Sequence, residues 1–177
     1  KARGVTPGVQ NISGQVLGDQ DSGRLTLNGN DAAVDMPAVF ADPVLPLGKL
    51  DAVIEWNRNK DADGAPVINL RRLNFENRDV AGTAKGLWYP VPDSPAGQID
   101  LSAQITRANG TAIWRYMPLV AGTSAREWLR DSILGGQAIQ TSLTLRGKLY
   151  DFPFRDPAGG TFEVRGQLKD VRLDYAK

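Results

Sequence analysis

Residues 98–105 read Gln98-Ile99-Asp100-Leu101-Ser102-Ala103-Gln104-Ile105, a strict alternation of polar and apolar side chains. The same alternation returns in 142–149 and in 162–168. Successive side chains of a β-strand point to opposite faces of its sheet, so this period predicts strands with one apolar and one polar face. The function of the chain therefore depends on what covers the apolar face.

Segments of similar character recur along the chain and predict about eight strands, mostly antiparallel because the connections are short. They are 10–17, 24–36, 49–57, 67–77, 80–89, 98–106, 138–149 and 162–175. Clusters of glycine, proline and aspartate separate them. The predicted fold class is mainly β, with a long, twisted, mostly antiparallel sheet curved into an apolar groove.

One segment, near 111–134, departs from the alternation and predicts a short helical insertion. The run 124–127 matches a capping box that starts a helix, and Trp128 and Leu129 follow at helical spacing. Two interpretations remain open. The helix covers part of the sheet, as in any α+β domain, or Trp114, Trp128 and Leu129 cap one end of the groove.

Composition removes most catalytic chemistry. The chain of 177 residues contains no cysteine and no histidine. Without them there is no disulfide framework, no thiolate metal site, no Ser-His-Asp triad and no histidine base. An enzyme would need carboxylate, lysine or tyrosine chemistry, so the composition disfavours catalysis and we predict that the chain is not an enzyme and needs no metal or cofactor. Its length suits one domain, or two small ones, and we predict a single domain, 1–177.

Charge and hydropathy narrow the set of partners. Lysine and arginine total 21 against 20 acidic residues, a net charge of +1, and the basic residues are scattered along the strands. Nucleic acid is therefore not an expected partner. No apolar run approaches the 18 or so residues that a membrane span requires. The chain is expected to be a piece excised from a larger protein that carries the targeting signals.

Two acidic patterns resemble binding or catalytic sites. Residues 59–64 match the opening of a calcium loop, but Leu70 occupies the position that requires a glutamate, so a polar turn is favoured. Acid pairs such as Asp19 with Asp21, or Glu163 with Asp170, leave a carbohydrate-active or sugar-binding protein as a further class. That class depends on fold analogy alone.

Short motifs then occur in an order that resembles the AsmA-like family, closest to its YhdP branch. They are 11–14, 36–40, 54–56, Arg115-Tyr116-Met117-Pro118, Glu127-Trp128-Leu129, 135–136, 143–147, Asp151-Phe152-Pro153-Phe154, 160–162 and 173–175. The resemblance covers nearly the whole chain. It departs at Met117, where leucine is expected, a substitution that conserves volume.

This resemblance implies a large envelope protein of Gram-negative bacteria, anchored in the inner membrane, with a β-rich body that reaches across the periplasm. It implies that glycerophospholipids pass toward the outer membrane with their tails in an apolar groove, without catalytic residues. The chain would be a periplasmic segment that joins the rest of its parent at both sheet edges. When excised, those edges would invite strand pairing between copies.

The apolar phase of the strands supplies the residues expected to contact acyl chains. They are Leu25, Leu27, Ile54, Trp56, Ile68, Leu70, Ile99, Leu101, Ile105, Leu143, Leu145, Phe162, Val164 and Leu168. Polar neighbours such as Arg24, Asp100 and Arg146 are expected to face the periplasm. The alternative is a closed β-sandwich, a structural spacer or protein-interaction module of the envelope, in which the same side chains form the core.

Overall fold

The structure is a computed structural model that describes residues 8–58, 65–156 and 158–175. The strands are β1 (Gly8–Gln10), β2 (Ser13–Gly18), β3 (Ser22–Asp35), β4 (Val44–Arg58), β5 (Pro66–Glu76), β6 (Val80–Val91), β7 (Ser94–Asn109), β8 (Ile133–Lys148) and β9 (Gly160–Leu173). They form one open antiparallel sheet of nine strands. From β3 to β9 each strand pairs with its neighbour along the chain, and β1 and β2 both pair with β3.

Side chains that cap the turns favour this meander. The Asp19 carboxylate accepts the N–H groups of Asp21 and Ser22 at 2.8 and 2.9 Å, which closes the β2–β3 hairpin. These bonds lower the pKa of Asp19. The Asn77 amide oxygen accepts the N–H groups of Asp79 and Val80 in the same way, at 2.8 Å each, between β5 and β6. Both turns use the tendency of such side chains to bond the backbone ahead of them.

The predicted antiparallel strands are confirmed, and most are long. Strands β7 and β8 each contain 16 residues, which corresponds to about 53 Å at the rise of an extended chain. The first predicted strand, 10–17, is divided into β1 and β2. Asn11 lies between them with a φ of 55°, a left-handed conformation that interrupts an extended strand.

Bulges occur where the sequence alternation breaks. On β5 the register shifts between Leu70 and Leu73. The two residues Arg71 and Arg72 therefore lie opposite a single residue of the neighbouring strand β6. On β8 it shifts between Ile139 and Ser142, at Gln140, which has a φ of 49°. An extra residue would send all later side chains to the wrong face. Each bulge absorbs that residue and keeps the apolar phase on one side.

The helical insertion is confirmed, but its details differ from the prediction. It consists of a 3-10 helix at Gly110–Tyr116, a 3-10 turn at Leu119–Ala121 and helix α1 at Thr123–Ser132, so the strand β8 already begins at Ile133. The predicted capping box is wrong. Gly122, with a φ of 84°, is the N-cap, and no side chain caps α1. Ser124 therefore lies inside the first turn, where its hydroxyl is past the capping position.

The conventional core of this fold is small. The buried apolar residues among the described ranges are Ala32, Leu45, Leu50, Ala52, Ala103, Ala108 and Ala112. A sheet covered by a second layer would bury its large side chains as well. The alternative of a closed sandwich is therefore wrong in architecture, because the strands form a single open sheet.

Candidate functional site

Cross-strand register aligns the apolar residues in rows that run across the strands. Directly paired residues of a sheet place their side chains on the same face. Leu101 of β7 pairs with Gly86 of β6 and with Leu145 of β8. The complete row from β2 to β9 is Val16, Leu25, Ile54, Leu70, Gly86, Leu101, Leu145 and Phe162.

Three further rows run parallel to this one. We number the four rows in order along the strands, so that the row of Leu101 is row 2, with row 1 on one side of it and rows 3 and 4 on the other. Row 1 is Gly18, Gly23, Trp56, Ile68, Trp88, Ile99, Gly147 and Gly160. Row 3 is Gly14, Leu27, Ala52, Leu73, Ala84, Ala103, Leu143 and Val164. Row 4 is Gly29, Leu50, Phe75, Gly82, Ile105 and Thr141. Together they form the apolar face.

Every residue predicted to contact acyl chains lies on this face. All belong to rows 1 to 4 except Leu168, which pairs with Ala138 further along β9. Leu168 alternates with Val164 and so points to the same side. The register thus brings the whole predicted set together, while its contact with lipid stays a prediction.

The opposite face is polar and carries ion pairs between neighbouring strands. Arg24 of β3 meets Glu55 of β4 at 2.5 Å, and Arg146 of β8 meets Asp100 of β7 at 2.9 Å. Such exposed pairs contribute about 0.2–1 kcal/mol each. They mark this face as the polar one, as predicted from the alternation.

Aromatic rings pack over glycines in row 1 and next to it. A Cβ added at Gly23 would lie 2.0 Å from the ring of Trp56, and one at Gly97 would lie 2.5 Å from Nε1 of Trp88. A Cβ at Gly160 would lie 2.5 Å from the ring of Phe154. The missing side chains make room for the rings. We call Trp56, Trp88 and Phe154 the aromatic border of the apolar face.

The helical insertion lies at the other ends of the strands, beyond row 4. The Tyr116 hydroxyl accepts a hydrogen bond from Asn77 Nδ2 at 3.1 Å, next to the β5–β6 turn. The N–H of Leu119 donates to the carbonyl of Val39 at 2.8 Å, in the β3–β4 connection. The chain thus crosses from β7 to β3 along these strand ends, and we call 110–132 the helical border.

The three predicted capping residues all belong to the helical border. Trp114 donates from Nε1 to the carbonyl of Thr111 at 3.1 Å. Trp128 meets the ring of Tyr175 edge-on, with centroids 6.2 Å apart, and Leu129 is half-buried. Trp128 therefore packs at the corner next to β9. A capping role for the three residues stays a prediction.

Burial sets the electrostatics of the helical border. Asp79 is 6% exposed and meets Arg115 at 3.4 Å and Arg78 at 3.6 Å. Burial raises the pKa of Tyr116, while the hydrogen bond from Asn77 works in the opposite direction. The segment is therefore held at this point by a buried carboxylate, whose cationic partners reach the surface, and by a half-buried phenol.

One polar group interrupts the apolar rows. Thr141 of row 4 is buried, and its hydroxyl donates to the carbonyl of Ile139 at 3.3 Å. A Cβ at Gly166 of β9 would lie 2.2 Å from that hydroxyl. The polar atom is thus satisfied by its own strand and shielded by its neighbour.

Several apolar-face residues were missed by the sequence prediction. They include Leu50, Leu73, Phe75 and Trp88. The residues Leu73 and Phe75 are out of phase with Leu70 unless a bulge is placed at the two consecutive arginines. Trp88 lies two residues after Gly86 on the same strand, and this spacing could have placed the tryptophan on the apolar face.

Other predicted sites are accounted for by turns and surface pairs. Asp19 caps a hairpin, and Glu163 pairs with Arg165 at 2.7 Å on the exposed strand β9. The calcium-like run 59–64 lies outside the described residues. Within the described part of the chain, no cluster of three acidic side chains could hold a metal ion. The helices described here are too short and too polar to cross a bilayer.

Comparison with known protein families gives a match over nearly the whole chain. A family model described as YhdP protein matches residues 2–177, which include every described residue. No curated protein and no solved structure matches the chain significantly.

Proposed function

The chain belongs to the YhdP family, a family of transport proteins and not of enzymes, and on that premise we propose that its apolar face conducts glycerophospholipids. We infer a segment of an envelope protein, anchored in the inner membrane, that carries these lipids through the periplasm toward the outer membrane. The acyl chains lie on rows 1 to 4, and no bond is made or broken.

The observation that supports this proposal is the continuity of the uncovered apolar face. Row 2 passes through eight strands from Val16 to Phe162, which is about 34 Å at the usual spacing of strands. Val16 is 65% exposed and Leu168 is 72% exposed, so the face is open at both edges of the sheet. Apolar surface of this extent marks an interaction site.

The energetics suit a lipid that moves. Each methylene group removed from water contributes about 0.8 kcal/mol, so a tail with a dozen buried methylenes gains on the order of 10 kcal/mol before losses. This attraction has no direction and no preferred partner atom. A tail therefore binds with similar free energy at each position along a row, and small steps between positions meet low barriers.

An unpaired polar side-chain group in the apolar rows would interrupt the even attraction for acyl chains, and the described residues of rows 2 to 4 include no such group. The Thr141 hydroxyl is engaged by the carbonyl of Ile139 and covered by Gly166. The charged side chains Arg24, Asp100 and Arg146 lie on the opposite face. The path offered to acyl chains is therefore apolar from β2 to β9.

The sheet edges provide the continuation of the path. All residues of β9 after Gly160 are exposed, and the outer sides of β2 and β9 have no strand beside them among the described residues. Neighbouring segments of the parent chain would pair there and extend each row. Copies of the excised segment would meet through the same edges.

A paired substitution tests the proposal. Leu101 lies inside row 2, between Gly86 and Leu145, and Gln104 lies on the polar face of the same strand, between Thr83 and Ser142. We expect Leu101→Arg to lower the amount of fluorescent phospholipid that the chain extracts from vesicles by at least about fivefold, because it places a charge in the path. Gln104→Arg should extract as much lipid as the wild type.

Folding is the control for this experiment. An arginine on an uncovered face can extend its charged end to water, so we expect Leu101→Arg to keep a cooperative thermal transition. Equal extraction by all three proteins would contradict a role of the apolar face. Loss of extraction in both variants would show that added charge alone is responsible.

A further inference from the structure

The two long borders of the apolar face differ in chemistry. Row 1 carries the aromatic border, with Trp56 and Trp88 paired on either side of Ile68. Beyond row 4 lies the helical border, in which the chain itself runs along the strand ends from β7 toward β3. A lipid on this face would therefore meet a different environment at each end of its tails.

The distance between the borders matches the length of lipid tails. On β4, Trp56 of row 1 and Leu50 of row 4 are six residues apart, which is about 20 Å along a strand. The hydrocarbon core of a bilayer is about 30 Å thick, so the tails of one leaflet occupy roughly 15 Å. The apolar face is thus deep enough along the strands for extended tails.

The aromatic border has the character of a membrane interface. Tryptophan prefers the boundary between hydrocarbon and headgroups, because its ring is apolar and its N–H is polar. The Nε1 of Trp88 donates to the carbonyl of Ala96 at 2.9 Å, toward the turn that ends the strand. An ion pair, that of Lys148 with Asp93, also lies in this part of the sheet.

Two cationic groups near the helical border, Arg107 and Arg115, are already engaged. The Arg107 guanidinium donates to the carbonyls of Arg78 and Asn77 at 2.8 and 2.6 Å. Arg115 pairs with the buried Asp79. A phosphate that approached Arg107 or Arg115 would have to compete with these partners. The aromatic border differs in that its tryptophans lie next to exposed turns, where a headgroup stays in contact with water.

We propose that a bound glycerophospholipid lies along the strands, with its headgroup at the aromatic border and its terminal methyl groups toward the helical border. This inference rests on the proposed function and adds the orientation of the lipid. Lipids then stand side by side along the rows, and each moves from strand to strand while its headgroup stays in water beside Trp56, Trp88 and Phe154.

The four tryptophans of the chain provide the test. The variant W114F/W128F keeps fluorescence only at the aromatic border, and W56F/W88F keeps it only at the helical border. Each is titrated with phosphatidylcholine that carries a nitroxide quencher at carbon 5 or at carbon 16 of one acyl chain. We expect the border pair Trp56 and Trp88 to be quenched at least about twofold more by the carbon-5 lipid.

The outcomes separate orientation from binding. Equal quenching by the two lipids, or stronger quenching of Trp56 and Trp88 by the carbon-16 lipid, would overturn the orientation while leaving lipid binding intact. Absence of quenching by either lipid in a folded protein would overturn the proposed function and this inference with it. The helical-border pair should be quenched less by the carbon-5 lipid than the aromatic-border pair.

A second measurement on the unsubstituted chain guards against loss of folding in the variants. Photoreactive phosphatidylcholine with a diazirine beside the ester should form adducts with peptides that contain Trp56 or Trp88. A diazirine at the terminal carbon should form adducts near Leu50, Phe75 and Ile105. The reverse distribution of adducts would refute the proposed orientation.

Discussion

The ring of Trp56 packs directly against Gly23, its cross-strand partner on β3, so closely that a Cβ at Gly23 would lie 2.0 Å from ring atom Cζ2. Glycine is unfavourable inside a strand because it loses more conformational entropy and offers no side chain to pack. Here its absence of a side chain is what allows a large ring to lie on the apolar face. The glycine at position 23 thus determines where the Trp56 ring lies in the aromatic border.

A methyl group at Gly23 should displace the Trp56 ring. We expect Gly23→Ala to lower the free energy of unfolding by about 1–3 kcal/mol, the usual cost of overpacking, and to shift tryptophan emission to longer wavelength. Gly135→Ala is the matched control, because its Cβ would meet nothing closer than the Arg172 Cβ at 4.0 Å. Denaturant unfolding measures both. Equal stability of the two variants would contradict the packing described.

The Asp79 carboxylate should stabilise the helical border. Asp79→Ala removes the buried carboxylate that pairs with Arg115 and Arg78, and we expect the free energy of unfolding to fall by about 1–3 kcal/mol. Hydrogen exchange of the amides of 110–116 should accelerate at the same time. The exposed pair of Glu163 with Arg165 at 2.7 Å provides the control, since Glu163→Ala should cost less than about 1 kcal/mol. Unchanged exchange in Asp79→Ala would refute this role.

Tyr116 should make folding sensitive to alkaline pH. Burial raises its pKa above the ordinary value of 10.0, so the folded state holds the phenol proton more tightly than the unfolded state. The stabilisation that comes from the protonated phenol is complete below pH 10.0, the ordinary pKa of tyrosine. It is lost as the pH rises through the higher pKa that Tyr116 has in the folded state. Tyr116→Phe should therefore lose less stability than the wild type between pH 9 and pH 11, by chemical denaturation. Parallel curves would argue against the burial effect.

The alternation in 98–105 was sufficient to predict the phase of β7, and the register then extends that phase across the sheet. A period-two pattern determines the face to which each side chain points, because a side chain in a strand lies on one of only two faces of the sheet. The same logic failed at Arg71 and Arg72, where a bulge restores the phase and returns Leu73 to the apolar face. A bulge depends on the partner strand, which a local pattern does not contain.

The start of helix α1 was mispredicted for a comparable reason. Ser124 and Glu127 fit a capping box, but Gly122, with its φ of 84°, directs the chain into the helix earlier. The 3-10 turn at Leu119–Ala121 determines where this glycine lies. The aromatic border likewise required the register, because Trp56 and Trp88 are brought into one row by β5 between them.

Mass spectrometry of lipid extracts from the natively purified chain shows whether the apolar face binds phospholipid. We expect phospholipid to accompany the wild type and to be absent from a Leu101→Arg variant that still unfolds cooperatively. A wild type that is free of lipid, cooperatively folded, and unfolded by Leu101→Arg would contradict it, since the apolar face would then be a core and the segment a spacer or interaction module.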